Sequence, residues 1–64
     1  MIFRTEEHGA LVHLYPVESE NWMIIHSHGD MPWKVYKKVG AGHEYIDEFL
    51  KLRDAYAFGK ANYD

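Results

Sequence analysis

The sequence predicts an α+β fold, a small antiparallel meander of four strands followed by one C-terminal helix packed on one face of the sheet. Segments rich in branched and aromatic residues, separated by short turn signals, fill residues 1–39. After the glycines at 40 and 42, the apolar residues change to a helical spacing. A length of 64 residues leaves room for one domain, so we expect residues 1–64 to form a single unit.

The first two strands are predicted at about 2–6 and 10–17. Both segments carry β-branched and aromatic residues, which favour extended structure. The His8-Gly9 step between them is typical of a short turn. These features predict that the chain opens with a β-hairpin.

The third and fourth strands are predicted at about 22–27 and 33–39. A wholly polar stretch at 18–21 precedes the run WMIIHS, which has strong strand propensity. Gly29-Asp30 interrupts that run, and Pro32 ends the turn. The following WKVYKKV alternates apolar and polar residues, the period of a half-buried strand.

The helix is predicted at about 43–58. Its apolar residues fall on one broad side of a helical projection, and acidic residues lie in the first turn, where the helix dipole favours them. Gly59 follows the last residue of the pattern, a position typical of a C-terminal cap. We therefore expect this helix to cover one face of the sheet.

Composition excludes several classes of protein. The chain has no cysteine, so neither a disulfide framework nor a thiolate zinc site is expected. A domain of this size buries only about 60% of its unfolded surface, which disfavours a deep enzymatic cleft. The net charge of −3 has the wrong sign for generic nucleic-acid binding. We expect no enzymatic activity and no cofactor. The lack of a long apolar run predicts a cytoplasmic protein without a membrane partner.

The faces of the sheet follow from an assumed register. We expect Val17 to lie opposite Trp22 across the loop 18–21, which places Tyr15 opposite Ile24. The side chains then expected beneath the helix are apolar: Ala10, Val12, Leu14, Met23, Ile25, Trp33 and Val35. Those expected on the other face are Leu11, His13, Tyr15, Trp22, Ile24, His26, Lys34, Tyr36 and Lys38.

The second of these sets predicts a contact surface. It interleaves large aromatic, aliphatic and imidazole groups, whereas an ordinary solvated face carries Thr, Ser, Glu and Lys. The leading hypothesis is a non-enzymatic protein-interaction module, such as an inhibitor, an adaptor or a regulatory accessory protein of a phage or mobile element. A homodimer using the same face is equally compatible. The alternative is that the small sheet twists so that its own strand ends and side chains cover these residues, which then bind no partner. The residues expected to bind the partner are Tyr15, Trp22, Ile24, His26, Lys34, Tyr36 and Lys38.

Two other functions stay open. Lys34, Tyr36 and Lys38 form the one basic strand, and its lysines and tyrosine suit a small nucleic-acid-binding sheet, which the acidic balance does not favour. In the assumed register His13 faces His26, with His28 on the same side and Asp30 nearby. These four residues are candidate ligands of a divalent metal, or candidates for a histidine-based pH sensor. A His-x-His spacing alone is weak evidence for either.

Overall fold

The computed structural model describes residues 1–64 and has five strands followed by one helix. The predicted class, an antiparallel meander with a C-terminal helix packed against it, is confirmed, with one more strand than expected. The strands are consecutive neighbours in a single sheet. The elements are β1 Phe3–His8, β2 Leu11–Pro16, β3 Trp22–His26, β4 Trp33–Val39, β5 Gly42–Phe49 and α1 Leu52–Tyr63.

Two of the hairpins turn through the same dipeptide, Gly-Ala. His8 pairs with Leu11 around Gly9-Ala10, and Val39 pairs with Gly42 around Gly40-Ala41. Gly9 has φ +65° and Gly40 φ +57°, so each chain reversal starts with a left-handed residue. A positive φ at the first of two loop positions is the requirement of a type II′ turn, whose twist matches that of the flanking strands.

The prediction of a helix over 43–58 is wrong in its first half, because residues 42–49 form β5. Tyr45 and Phe49 fit a helical spacing, yet both pair with residues of β4, Tyr45 with Tyr36 and Phe49 with Trp33. The tight turn at Gly40 returns the chain directly along β4, where backbone pairing competes successfully with helix formation. The helix begins only at Leu52, after Lys51 in an extended conformation.

A β-bulge shapes this last hairpin. Val35 pairs with Asp47 and Tyr36 pairs with Tyr45, which leaves Ile46 as an extra residue in β5. Bulges of this kind increase the local twist and bend the strand.

The assumed register between β2 and β3 is wrong by one residue. Leu14 pairs with Ile24, and Val12 pairs with His26. Because neighbouring residues of a strand point to opposite faces, this slip exchanges the two faces of β3. β4 keeps its predicted faces, because Trp33 pairs with His26 and not with the next residue, Ser27. The loop is one residue longer than assumed, since β2 ends at Pro16 and β3 begins at Trp22.

The core lies between the sheet and α1, and its centre is Trp22. Trp22 is 1% exposed, and its indole N–H donates to Oδ1 of Asp64 at 3.0 Å. The buried apolar cluster consists of Leu14, Trp22, Ile24, Val35 and Ala55. Trp22 and Ile24, both predicted to bind a partner, are therefore core residues.

Gly59 is not the predicted helix cap. It lies inside α1, is buried, and faces the indole ring of Trp22. A Cβ at this position would lie 2.6 Å from Cδ2 of Trp22 and closer still to two other ring carbons. The glycine is required by this close approach of helix and sheet. The helix itself has 12 residues, and nothing in the chain has the helical length and apolar character needed to cross a bilayer.

Candidate functional site

The face of the sheet turned away from α1 is the surface that the helix leaves uncovered, and we call it the open face. The strand pairings place fourteen side chains on it. They are Arg4, Glu6, His8, Leu11, His13, Tyr15, Met23, Ile25, Lys34, Tyr36, Lys38, His43, Tyr45 and Glu48.

Four of the seven predicted binding residues lie on the open face: Tyr15, Lys34, Tyr36 and Lys38. The other three lie on the helix side. Trp22 and Ile24 are in the core, and His26 stacks on Trp33 with ring centroids 4.0 Å apart. On the open face, β3 instead presents Met23 and Ile25. The one-residue slip of β3 accounts for all five changes.

Sequence reasoning missed the contributions of both edge strands. Arg4, Glu6 and His8 alternate along β1, and that period-two pattern was a usable signal. His43 and Tyr45 belong to β5, which was interpreted as part of the helix. Tyr45 packs edge to face against Tyr36 of the neighbouring strand, with centroids 5.8 Å apart.

The open face is concave. Met23 is only 1% exposed although α1 lies on the opposite side of the sheet, so its own neighbours must cover it. Arg4 of β1 and His43 of β5 line the same cleft, although these strands are the two edges of the sheet. The sheet therefore curves around the open face, in keeping with the strong twist of small sheets.

The cleft has a volume of about 420 Å³ and lies where β2 and β4 end and β3 and β5 begin. Its lining includes Arg4, Tyr15, Ser19, Glu20, Lys38 and His43. The loop 17–21 forms one wall and is held by backbone hydrogen bonds. Ser19 N donates to Pro16 O at 3.4 Å, and Lys38 N donates to Asn21 O at 2.8 Å.

The cleft carries more positive than negative groups, whereas the whole chain has a net charge of −3. The guanidinium of Arg4 lies over the Tyr15 ring, 4.4 Å from its centroid, and also pairs with Glu6. That arginine, followed by His8, lowers the pKa of Glu6 below its ordinary value. Lys38 and His43 form no ion pair within the chain. Their polar groups are free to meet a ligand.

A pair of histidines lies beside the cleft. The rings of His8 and His13 are 4.3 Å apart at their centroids, and His13 Nδ1 shares a hydrogen bond of 3.2 Å with the Tyr15 hydroxyl. Burial lowers the pKa of His13, and the neighbouring His8 and His43 lower it further, while Glu6 acts in the opposite direction. The folded chain therefore keeps His13 neutral at a pH where an unfolded histidine is already protonated.

This shift predicts a pH dependence of stability. The unfolded chain binds more protons than the folded chain between the lowered pKa of His13 and the ordinary value of 6.5. Stability should fall as the pH is lowered through that window. We expect His13→Gln to reduce the slope of unfolding free energy against pH in the range just below 6.5. Urea unfolding at several pH values measures it. The control is His28→Gln in the exposed β3–β4 loop, and equal slopes in both variants would contradict the prediction.

The four candidate metal ligands are not brought together. His13 lies on the open face and opposes Ile25, whereas His26 lies on the helix side and opposes Val12. His28 and Asp30 are exposed in the loop after β3. The predicted three-histidine arrangement depended on the wrong register. No group of three or more His, Cys, Asp or Glu side chains is placed to hold a metal ion.

The basic strand is only partly available to a ligand. Lys34 Nζ donates to the Met31 carbonyl at 2.9 Å and to Ser27 Oγ at 3.3 Å, so this lysine holds the β3–β4 loop in place. Tyr36 and Lys38 also lie on the open face, but neither holds a loop in this way. The set Lys34, Tyr36 and Lys38 therefore offers one free cation to a nucleic acid rather than two.

The fold and the open face together define a small α+β protein with a concave, aromatic and basic surface on the uncovered side of its sheet. Comparisons with protein-family models, with curated proteins and with solved structures find no match to this chain.

Proposed function

We propose that this chain is a small non-enzymatic protein-interaction module that binds a protein partner through its open face. Inhibitor, adaptor and regulatory accessory protein are the roles that such a module performs, including in phages and mobile elements. The observation that carries the proposal is the cleft of about 420 Å³, where Arg4, Tyr15, Lys38 and His43 of the open face meet the loop 17–21 at one end of the sheet.

The composition of the open face supports a protein partner. Tyrosine, methionine and arginine are enriched at protein interfaces, and tyrosine buries much area at a small cost in conformational entropy. Tyr15, Tyr36 and Tyr45 lie on three different strands of this face, around the buried Met23. This spacing provides several anchors for one partner surface.

The exposure of the cleft favours binding over catalysis. Arg4, Lys38 and His43 are all exposed to solvent. Enzymatic sites exclude water, because the interactions that stabilise a transition state are strong in a dry environment. The exposed cleft becomes dry only when a bound partner covers it.

The charges of the open face favour a protein over a nucleic acid. Glu6 and Glu48 lie among its three fixed cations, and Glu20 lies at the cleft. A nucleic-acid interface neutralises consecutive phosphates and carries a clear excess of positive charge. Mixed charges around aromatic anchors are typical of protein interfaces.

The proposal predicts that removing an exposed tyrosine of the open face weakens binding. A tagged chain should retain one stoichiometric protein from a lysate of its source cell or host, with or without nuclease. With that partner purified, Tyr45→Ala should raise the Kd about tenfold, because tyrosines often carry much of an interface's energy. Titration calorimetry measures the change.

The matched control is Leu50→Ala, which removes another exposed apolar side chain between β5 and α1. Its Kd should stay within about twofold of the original, since scattered exposed residues contribute little. Capture that disappears with nuclease would replace the proposal with nucleic-acid binding. A single concentration-dependent homodimer, measured by light scattering, would identify a second copy of the chain as the partner.

A further inference from the structure

We propose that the cleft at Arg4, Lys38 and His43 is a carboxylate-binding subsite, which takes an aspartate or glutamate side chain from an acidic segment of the protein partner. The inference rests on the proposed function and specifies the chemistry of the partner. Three features of the cleft carry it: the unpaired groups of Lys38 and His43 beside Arg4, a hydroxyl donor, and flanking acidic residues.

The first feature is the arrangement of the nitrogen groups. Lys38 and His43 are directly opposed on β4 and β5, so their side chains leave the same face of the sheet as neighbours, and both line the cleft. Neither forms an ion pair within the chain. Arg4 lines the same cleft from β1, and the Tyr15 ring beneath it orients its guanidinium. A carboxylate accepts charge-assisted hydrogen bonds from such groups.

The second feature is the hydroxyl of Ser19, which lines the cleft. Ser19 Oγ accepts a hydrogen bond from Asn21 N at 3.2 Å, so its own O–H is left to donate. Tyr15 also lines the cleft, but its hydroxyl shares a hydrogen bond with His13, so Ser19 supplies the free hydroxyl donor. A carboxylate has about four acceptor positions, so the Ser19 hydroxyl can donate to it in addition to the charged groups.

The third feature is the acidic residues near the cleft, which favour a single carboxylate over a polyanion as the ligand. Glu20 lines the cleft and Glu6 lies next to Arg4. These acids repel a continuous run of phosphates more strongly than they repel a single carboxylate. The exposed lining also requires a ligand large enough to cover it, since small-molecule sites bury most of their ligand. An acidic protein segment meets both conditions.

The experiment is an NMR titration of the ¹⁵N-labelled chain with an N-acetylated, C-amidated tetrapeptide of sequence AEEA. At millimolar peptide we expect saturating amide shifts at positions 4, 38 and 43, and none with the peptide AQQA. Lys38→Gln should weaken AEEA binding about threefold, the range for an exposed ion pair. Lys37→Gln is the matched control, because Lys37 neighbours Lys38 in sequence but does not line the cleft. It should leave the affinity unchanged.

Three outcomes would overturn the inference. The first is AEEA shifts that are absent from positions 4, 38 and 43. The second is an equal effect of the two lysine substitutions. The third is saturation by inorganic phosphate or oligothymidylate without any response to AEEA, which would assign the cleft to phosphate. A purified partner whose Kd changes with Tyr45→Ala but not with Lys38→Gln would remove the subsite and leave the proposed function standing.

Discussion

Replacing Trp22 by alanine should leave the chain largely unfolded at room temperature. The indole is 1% exposed, packs against Tyr56 with ring centroids 5.9 Å apart, and donates a hydrogen bond to Asp64. Removing a buried tryptophan side chain costs about 3–5 kcal/mol. A single core in a domain this small rarely supplies more than about 3–5 kcal/mol of net stability. The loss is therefore comparable to the whole free energy of unfolding.

Far-UV circular dichroism during urea unfolding tests this prediction. The control is Tyr45→Ala on the open face, where the side chain is 47% exposed and the expected loss is below about 1 kcal/mol. A Trp22→Ala variant as stable as the original chain would contradict the burial of Trp22. It would then favour the register in which Trp22 lies on the contact surface.

Replacing Gly59 by alanine should destabilise the chain, although alanine is the better helix former. In an exposed helix the change is favourable by about 1 kcal/mol. Here the new Cβ would meet the six-membered ring of Trp22, and the helix would have to move away from the sheet. Overpacking of this kind costs about 1–3 kcal/mol. We expect a drop in Tm of about 5–15 °C, given the small enthalpy of a domain of this size.

Thermal unfolding measures this effect, and two further variants identify its cause. Ala61→Gly at an exposed position of α1 should show only the ordinary helix-propensity loss of about 1 kcal/mol. In a Trp22→Phe background, Gly59→Ala should cost less, because the smaller ring vacates part of the contact. A stabilising Gly59→Ala substitution would show that α1 and β3 are not in the close contact described above.

Local patterns determined the fold class. The alternation of WKVYKKV defined β4 and its two faces, and Gly9 marked the first chain reversal. The assignment of Leu14 and Val35 to the core, and of Tyr15 and Tyr36 to the other face, followed from the same period of two. These features depend on neighbouring residues and on backbone sterics, so one sequence is sufficient to read them.

Tertiary structure decided the features that join distant parts of the chain. Either face of β3 is apolar enough to be core, so only the length of the loop 17–21 and the fit of Trp22 against Gly59 select the register. Residues 42–49 suit helix and strand alike, and pairing with β4 makes them a strand. The cleft needs Arg4 and His43 from opposite edges of a curved sheet. The sequence by itself thus determined the class of fold and, outside β3, most of the division of side chains between the two faces of the sheet. The register, the fifth strand and the site depend on packing between residues far apart in the chain, which local propensity does not encode.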